Sequence, residues 1–287
     1  MDIIRGFIRS DAFKRLLRNR LATFGLIMII LLFTVSIFAP YIAPNNPYEQ
    51  DFFQTLEGPS WEYPLGTDDL GRCIFSRIIY GTRISISIGF ISVAIGLAVG
   101  VPVGAVSGYF GGKLDLIIQR FVDIMMAFPG MLLAIVIVAV MGVGLVNAMI
   151  AVGIVSIPTY IRLVRGSVLS IKNSEHVESA RAIGRGDAMI IFKHIIPHCL
   201  APIIVQSSLL VATAILWAAG LGFLGLGAQA PTPEWGAMLS QGRGYIRTAH
   251  HATTFPGLAI MIAVLGFNLV GDGLRDALDP KMRHDDV

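Results

Sequence analysis

Six apolar stretches divide this chain, at 21–43, 84–109, 121–141, 145–161, 199–228 and 255–271. A hydrocarbon layer about 30 Å thick is crossed by about 20 helical residues at 1.5 Å rise each, so runs of this length predict membrane spans. Inside a bilayer the backbone must bond within its own segment, which makes each run a helix. An all-α integral membrane protein with six transmembrane helices is therefore expected. Composition agrees: 54% of the residues are hydrophobic and 14% are charged, against about 25% charged in soluble domains.

Where the charges stand sets the orientation. Of 22 Lys and Arg residues, 17 fall on one side of a six-span arrangement and 5 on the other. The richer side, holding both termini, is assigned to the cytoplasm by the positive-inside rule. Arg5, Arg9, Lys14, Arg15, Arg18 and Arg20 precede the first run, as in a signal peptide, yet the run outlasts the 7–15 apolar residues of a signal core and reads as a retained helix. The expected organisation is a cytoplasmic segment at 1–20, a first span at 21–43 and an outer loop at 44–83. A five-helix core follows at 84–272, with an inner loop at 162–198 and an outer loop at 228–254, and the chain ends in a cytoplasmic tail at 273–287. A net charge of +3, scattered along the chain, lacks the clustered basic face of a nucleic-acid binder.

The energy source is read from what the spans lack. Ion-coupled carriers keep ionisable groups at membrane depth, but Cys199 to Pro233 contains no Asp, Glu, Lys, Arg or His. Asp123 is the nearest exception, and Arg120 three residues earlier is its expected partner. A nucleotide-binding P-loop needs GxxxxGK followed by Ser or Thr; at Gly112-Lys113 the first glycine is replaced by Ser107 and the hydroxyl by Leu114. Gly220, Gly222 and Gly225 spell GxGxxG inside an apolar span with no preceding strand, an accidental match. His194 and His198 have the spacing of two metal ligands but no neighbouring carboxylate, so no metal site is assigned. Cys73 and Cys199 read as ordinary thiols on opposite membrane faces.

Within the spans, Gly96, Gly100, Gly104 and Gly108 recur every four residues and line one helix face, where a second helix can approach closely. Pro102, Pro129 and Pro158 fall in three successive spans, each removing a backbone donor and favouring a kink. Asn147, Gln206, Trp217 and Asn268 are the polar or bulky candidates for a central pore, with helix-to-helix bonding the alternative for each.

The inner loop 162–198 carries the most specific pattern. Ser174 is placed to cap a helix whose first turn holds Glu175 and Glu178. Ala180 and Gly184, four apart, predict a smooth patch facing the cytoplasm; Gly184 favours ending the helix, and Pro197 suits the first turn of the fifth span. The segment Glu178-Ser179-Ala180, Gly184 and Ile196-Pro197 resembles the EAA motif of ABC importer permeases. Ser179 and His194 depart from the usual Ala and Ile. LGTDDLGRCIFSRIIYGTRIS from Leu65, GFLGLGAQAPTPEWG from Gly222 and NLVGDGLRDALDP from Asn268 are similar to the C-type permease of peptide and nickel importers, with Cys73 where such relatives commonly carry Asp.

The resemblance implies a type I ABC importer permease fold in a bacterial inner membrane, working with a second homologous permease, two cytoplasmic ATPase subunits and an external solute-binding protein. Glu175, Glu178, Ser179, Ala180, Gly184, Ile196 and Pro197 would form the ATPase-coupling element. ATP and magnesium would reside in the partner ATPases, leaving this chain without a cofactor and without catalysis of its own. Di- or oligopeptides lead as the cargo, with nickel or metallophore, glutathione and oligosaccharides as alternatives; a membrane scaffold that moves no solute is the reading from another class.

Overall fold

The computed structural model describes residues 11–278, so Arg5, Arg9, Lys281 and Arg283 of the charge count lie outside the described residues. Helices α1 (Asp11–Arg18) and α2 (Arg20–Ile42) are separated only by Asn19, whose side-chain oxygen accepts from the Leu21 and Ala22 amides and caps α2. Then follow α3 (Ile74–Phe110), α4 (Gly112–Ala127), α5 (Gly130–Met141), α6 (Leu145–Ile171), α7 (Glu175–Ala182), α8 (Asp187–Phe223), α9 (Trp235–Gly242) and α10 (His251–Leu278). Among the described residues the only β pairing is an isolated bridge between Thr67 and Cys73. Five helices are long and apolar enough to cross a membrane, and the α4–α5 pair makes six if counted as one span.

The third span departs from the expected continuous helix over 121–141. α4 starts at Gly112, and the chain turns by 93° between α4 and α5. The cause is local: Phe128 takes the extended conformation (φ −89°, ψ 137°) favoured before a proline, and Pro129 cannot donate back into α4. With 12 residues, α5 is about 18 Å long at 1.5 Å per residue, too short to cross alone. Pro102 and Pro158, by contrast, lie inside the unbroken α3 and α6.

α3 begins at Ile74, ahead of the expected Ile84, and α6 continues to Ile171, beyond the expected Ile161. α8 likewise starts at Asp187, well before Cys199, and the last helix spans 251–278 where 255–271 was expected. Charged and polar residues cut the apolar runs short without breaking the helices. Arg77, fully buried, donates to the Pro47 and Pro231 carbonyls, both at 3.3 Å. Asp123 pairs with Arg162 of α6 at 2.9 Å, not with its neighbour Arg120. Both members of that pair are half exposed, so it guides packing more than it stabilises.

α3 and α6 make the most extensive helix contact, and α10 packs between α8 and α2. One cross-helix contact has a covalent cause. Pro40 in α2 has no N–H for the Ser36 carbonyl one turn earlier. Arg83 of α3 supplies the missing donors, bonding the Ser36 carbonyl through Nε and the Ile37 carbonyl at 2.8 Å through Nη2. Arg83→Ala is expected to destabilise the chain by about 1–2 kcal/mol, and by less in a Pro40→Ala background where Ser36 regains its helical partner. Thermal unfolding of the four proteins of this cycle in detergent measures the coupling; strictly additive losses would refute it.

Candidate functional site

At one end of the bundle α7 lies across the chain between α6 and α8. Its amphipathic spacing buries Val177 and Ala180 in the main core beside Ile190, Ile191 and Ile195, and leaves Glu175, Glu178, Ser179 and Arg181 exposed. The helix ends in paired bonds, from the Gly184 amide to the Arg181 carbonyl and from the Arg185 amide to the Ala180 carbonyl. This Schellman closure requires the left-handed backbone that Gly184 adopts at φ +75°. Ile183, at that turn, is 73% exposed, an apolar tip on a polar loop.

Two expectations for this loop change. Ala180 and Gly184 do not form one outward patch: Ala180 points into the chain's own core, 4% exposed, while Gly184 faces open space. Helical spacing stops applying at the turn that separates them. Ser174 occupies the cap position, but its hydroxyl donates backwards to the Ile171 carbonyl at 2.6 Å and makes no cap bond.

Tyr109, at the end of α3, secures the loop from the side. Its hydroxyl donates to Asp187 at 2.6 Å, and the Arg181 guanidinium lies 5.8 Å from its ring centre. Ile196 opens the long α-helical part of α8 with Pro197 in its first turn, as expected, directly after a π-helical turn over Ile190–Ile195 that continues the helix backwards. The wider turn accommodates a ring that lacks an amide and crowds the preceding carbonyl. His198 Nδ1 meets the His194 carbonyl at 2.8 Å, and its ring stacks on His176 at 4.8 Å. Among the described residues no group of three metal-ligating side chains occurs.

The glycines of α3 face α6. A Cβ on Gly100 would stand 2.5 Å from Tyr160 Cβ and 3.0 Å from the Ile157 carbonyl; one on Gly104 would stand 2.7 Å from the Ile161 carbonyl. Gly96 meets Ser156 and Tyr160, and Gly108 meets Val168 and the Arg165 carbonyl. The contact is thus backbone against backbone over three helical turns.

The pore candidates separate. Gln206 lines a cavity of about 540 Å³ with Leu163, His198, Val205, Leu209 and Arg275, between α6, α8 and α10. Trp217 covers Gly130 and borders a crevice of about 40 Å³ with Ser92, Ser156, Thr159 and Thr213. Asn268 is half buried on α10. Asn147 is committed elsewhere: its amide donates to the Met141 and Gly142 carbonyls at 3.0 and 2.9 Å and finishes the end of α5.

The opposite end is held by a charge cluster that linear reading treated only as loop residues. Arg72 and Arg77 are 1% and 0% exposed; Asp68 bonds Arg72 Nε at 2.7 Å and lies 3.4 Å from Arg77 Nε. Gln241 of α9 accepts from Arg72 at 3.0 Å. Burial, then the charge of Asp68, raises the Asp69 carboxyl above its ordinary range. The i, i+4 spacing of Asp68 and Arg72 was the available signal.

Glu234 caps α9, accepting from the Gly236 and Ala237 amides at 2.8 Å each. Burial against Gly222 and α9 nonetheless pushes its carboxyl up to about 7. Between the unfolded value near 4.5 and about 7 the folded chain holds the extra proton. Stability should therefore fall as pH rises through that window, by about 3 kcal/mol in total, and level off above it. Glu234→Gln should flatten that slope in thermal unfolding measured from pH 4.5 to 8; an unchanged slope would assign it to other groups.

A family model described as the binding-protein-dependent transport system inner membrane component matches residues 100–284. The chain belongs to that family. A second model, the N-terminal TM domain of oligopeptide transport permease C, matches residues 8–59. The dipeptide transport system permease protein DppC of Alkalihalophilus pseudofirmus is 52% identical over 273 residues, covering 95% of this chain and 90% of the relative. DppC of Haemophilus influenzae is 51% identical, covering 93% and 92%. The glutathione transport system permease protein GsiD of Pectobacterium atrosepticum is 47% identical, covering 95% and 90%. A chain of the MetNI methionine ABC transporter, solved in inward-facing conformations, superposes with a TM-score of 0.59 over 72% of this chain and 98% of its own, at 20% identity.

The molecule is therefore an all-α, multi-pass ABC importer permease with the type I fold. As such it works in a membrane complex with ATPase and substrate-binding partners. In this permease, linear reading missed Tyr109 and Asp187, which meet across 78 residues of chain, and Arg77, whose carbonyl partners Pro47 and Pro231 lie 30 and 154 residues away.

Proposed function

We propose that this permease imports di- or oligopeptides across a bacterial inner membrane, with both termini in the cytoplasm. It pairs with a second homologous permease, two ABC ATPases and an external solute-binding protein. The observation that carries the reading is α7: a short helix with Val177 and Ala180 anchored in the permease's own core and Glu175, Glu178 and Ser179 directed outward. A helix held in this way transmits a push from a bound partner into α8 and α3 instead of absorbing it. Gly184 sets its far end, and Pro197 marks where the π-helical turn of α8 passes into α geometry. Tyr109 makes α3 part of the same unit.

ATP and magnesium act in the partner ATPases, and this chain carries no cofactor and catalyses no reaction. The absence of Asp, Glu, Lys, Arg and His from Cys199 to Pro233 supports this division, because ion coupling needs a titratable group at membrane depth. Higher identity to the relatives named for dipeptide transport than to the one named for glutathione supports peptides as the cargo. Gln206 and Arg275, on the cavity between α6, α8 and α10, contribute polar groups to the path.

The test is purification under mild detergent, with co-purifying chains identified by mass spectrometry, followed by reconstitution with labelled dipeptide. ATP-dependent accumulation inside vesicles, stimulated by the binding protein, is expected. Purification of the chain without ATPases, or accumulation driven by a proton gradient alone, would overturn the proposal.

A further inference from the structure

We propose that the cavity between α6, α8 and α10 receives the carboxylate end of the transported peptide, with Arg275 as its cation and Gln206 as the amide that bonds the peptide backbone. This names a binding site for the cargo of the function proposed above, and rests on that reading for the ligand being a peptide.

The polar groups of the cavity are uncommitted. Among the described residues neither Arg275 nor Gln206 has a hydrogen-bond or ion-pair partner. Asp276, next to Arg275, accepts instead from the Asn19 amide at 3.5 Å. Elsewhere in the bundle Arg77, Arg83, Arg162 and Arg165 each bond a carbonyl or carboxylate of another segment. Arg275 is exposed on α10 and keeps its guanidinium fork open toward the cavity.

Size and lining suit a short peptide. The volume of about 540 Å³, with apolar walls at Leu163, Val205 and Leu209 and a few polar groups, has the make-up of a small-ligand site. Along α8 the lining runs from His198 to Leu209, about 16 Å of helix, which holds about four residues of extended chain at about 3.5 Å each. A carboxylate matches the planar fork of Arg275, the peptide amides match Gln206, and the apolar walls take side chains without reading their identity.

A lipid phosphate shares the anionic chemistry, but Gln206 disfavours it. That amide stands two helical turns beyond His198, about 12 Å along α8, at the depth where a lipid would lay acyl chains against it and leave it without a partner. The position also suits release. His198 belongs to the cavity wall and its ring stacks on His176 of α7 at 4.8 Å, so a displacement of α7 reaches the bound peptide through one ring contact.

The test is photolabelling of the whole complex in phosphatidylcholine nanodiscs, without binding protein or ATP, by an alanyl dipeptide ending in a diazirine leucine, as the free acid and as the C-terminal amide. The acid should label residues 198–209 or 275–278 about 10-fold more than the amide. Arg275→Gln should bring the acid down to the level of the amide with an unchanged melting temperature, Arg275→Lys should keep part of the preference, and Gln206→Ala should weaken both probes. Equal labelling by acid and amide, labelling elsewhere in the chain, or a preference that survives Arg275→Gln overturns the proposal. So does phosphatidylglycerol that abolishes the labelling and stays bound in native mass spectra of wild type but not of Arg275→Gln, since the cation would then serve a lipid headgroup. ATP-dependent dipeptide accumulation without acid-selective labelling would sink the site and leave the import reading standing; acid-selective labelling without accumulation would do the reverse.

Discussion

Gly100→Leu is expected to separate α3 from α6 and abolish uptake. The Cβ that leucine brings would stand 2.5 Å from Tyr160 Cβ and 3.0 Å from the Ile157 carbonyl, and neither is the free end of a flexible side chain. Backbone must move, because Gly96, Gly104 and Gly108 hold the same interface at their own levels. Overpacking of this kind costs at least about 3 kcal/mol when the neighbours cannot yield. Tyr160 also bonds Ser207 of α8 at 2.8 Å, so the disturbance reaches a third helix. Thermal unfolding in detergent and peptide uptake by the reconstituted complex should fall together. Gly186→Leu, in open space on the loop, is the control expected to keep its melting temperature. Retained stability and uptake in Gly100→Leu would mean that the glycine face is not a packing face.

Glu178→Arg should leave the permease folded and uncouple it from its ATPases. Glu178 is exposed on α7, away from the core that holds Val177 and Ala180. Reversing its charge at the centre of the docking face proposed above should cost about 2 kcal/mol of association, or roughly 30-fold in affinity. The expected result is a chain with unchanged thermal stability that loses the ATPases on purification and most of its ATP-dependent uptake. Ala180→Leu should behave in the opposite way. With Ala180 at 4% exposure, the larger side chain strains the core and lowers stability by about 1–3 kcal/mol. Were Glu178→Arg to keep both partners and uptake, α7 would not be the coupling element.

The contrast between Glu178 and Ala180 marks how far linear reading extends into the site. Composition and spacing located the loop, its helix and its turn at Gly184, since capping and left-handed glycine are decided within a few residues. The direction of Ala180 was not legible, because it depends on where Ile190 and Ile195 of α8 come to rest. Asp123 illustrates the same limit: Arg120 was near in sequence, but Arg162 stands across the bundle. Asn147 read as a pore residue because its amide is polar within an apolar run, and the end of α5 took up that amide.

By itself the sequence determined that this chain is a helical membrane protein, roughly where its spans lie and which face of α3 is smooth. These follow from hydrophobic length and from period, which are properties of neighbouring residues. The tertiary structure decided that Arg72 and Arg77 are buried and paired, that Arg83 mends the gap left by Pro40, and that the third span breaks at Pro129. It also decided that Tyr109 secures α7. Charge ends an apolar run whether or not a carbonyl waits to receive it. The waiting carbonyl belongs to another helix, and only folding brings it within bonding distance.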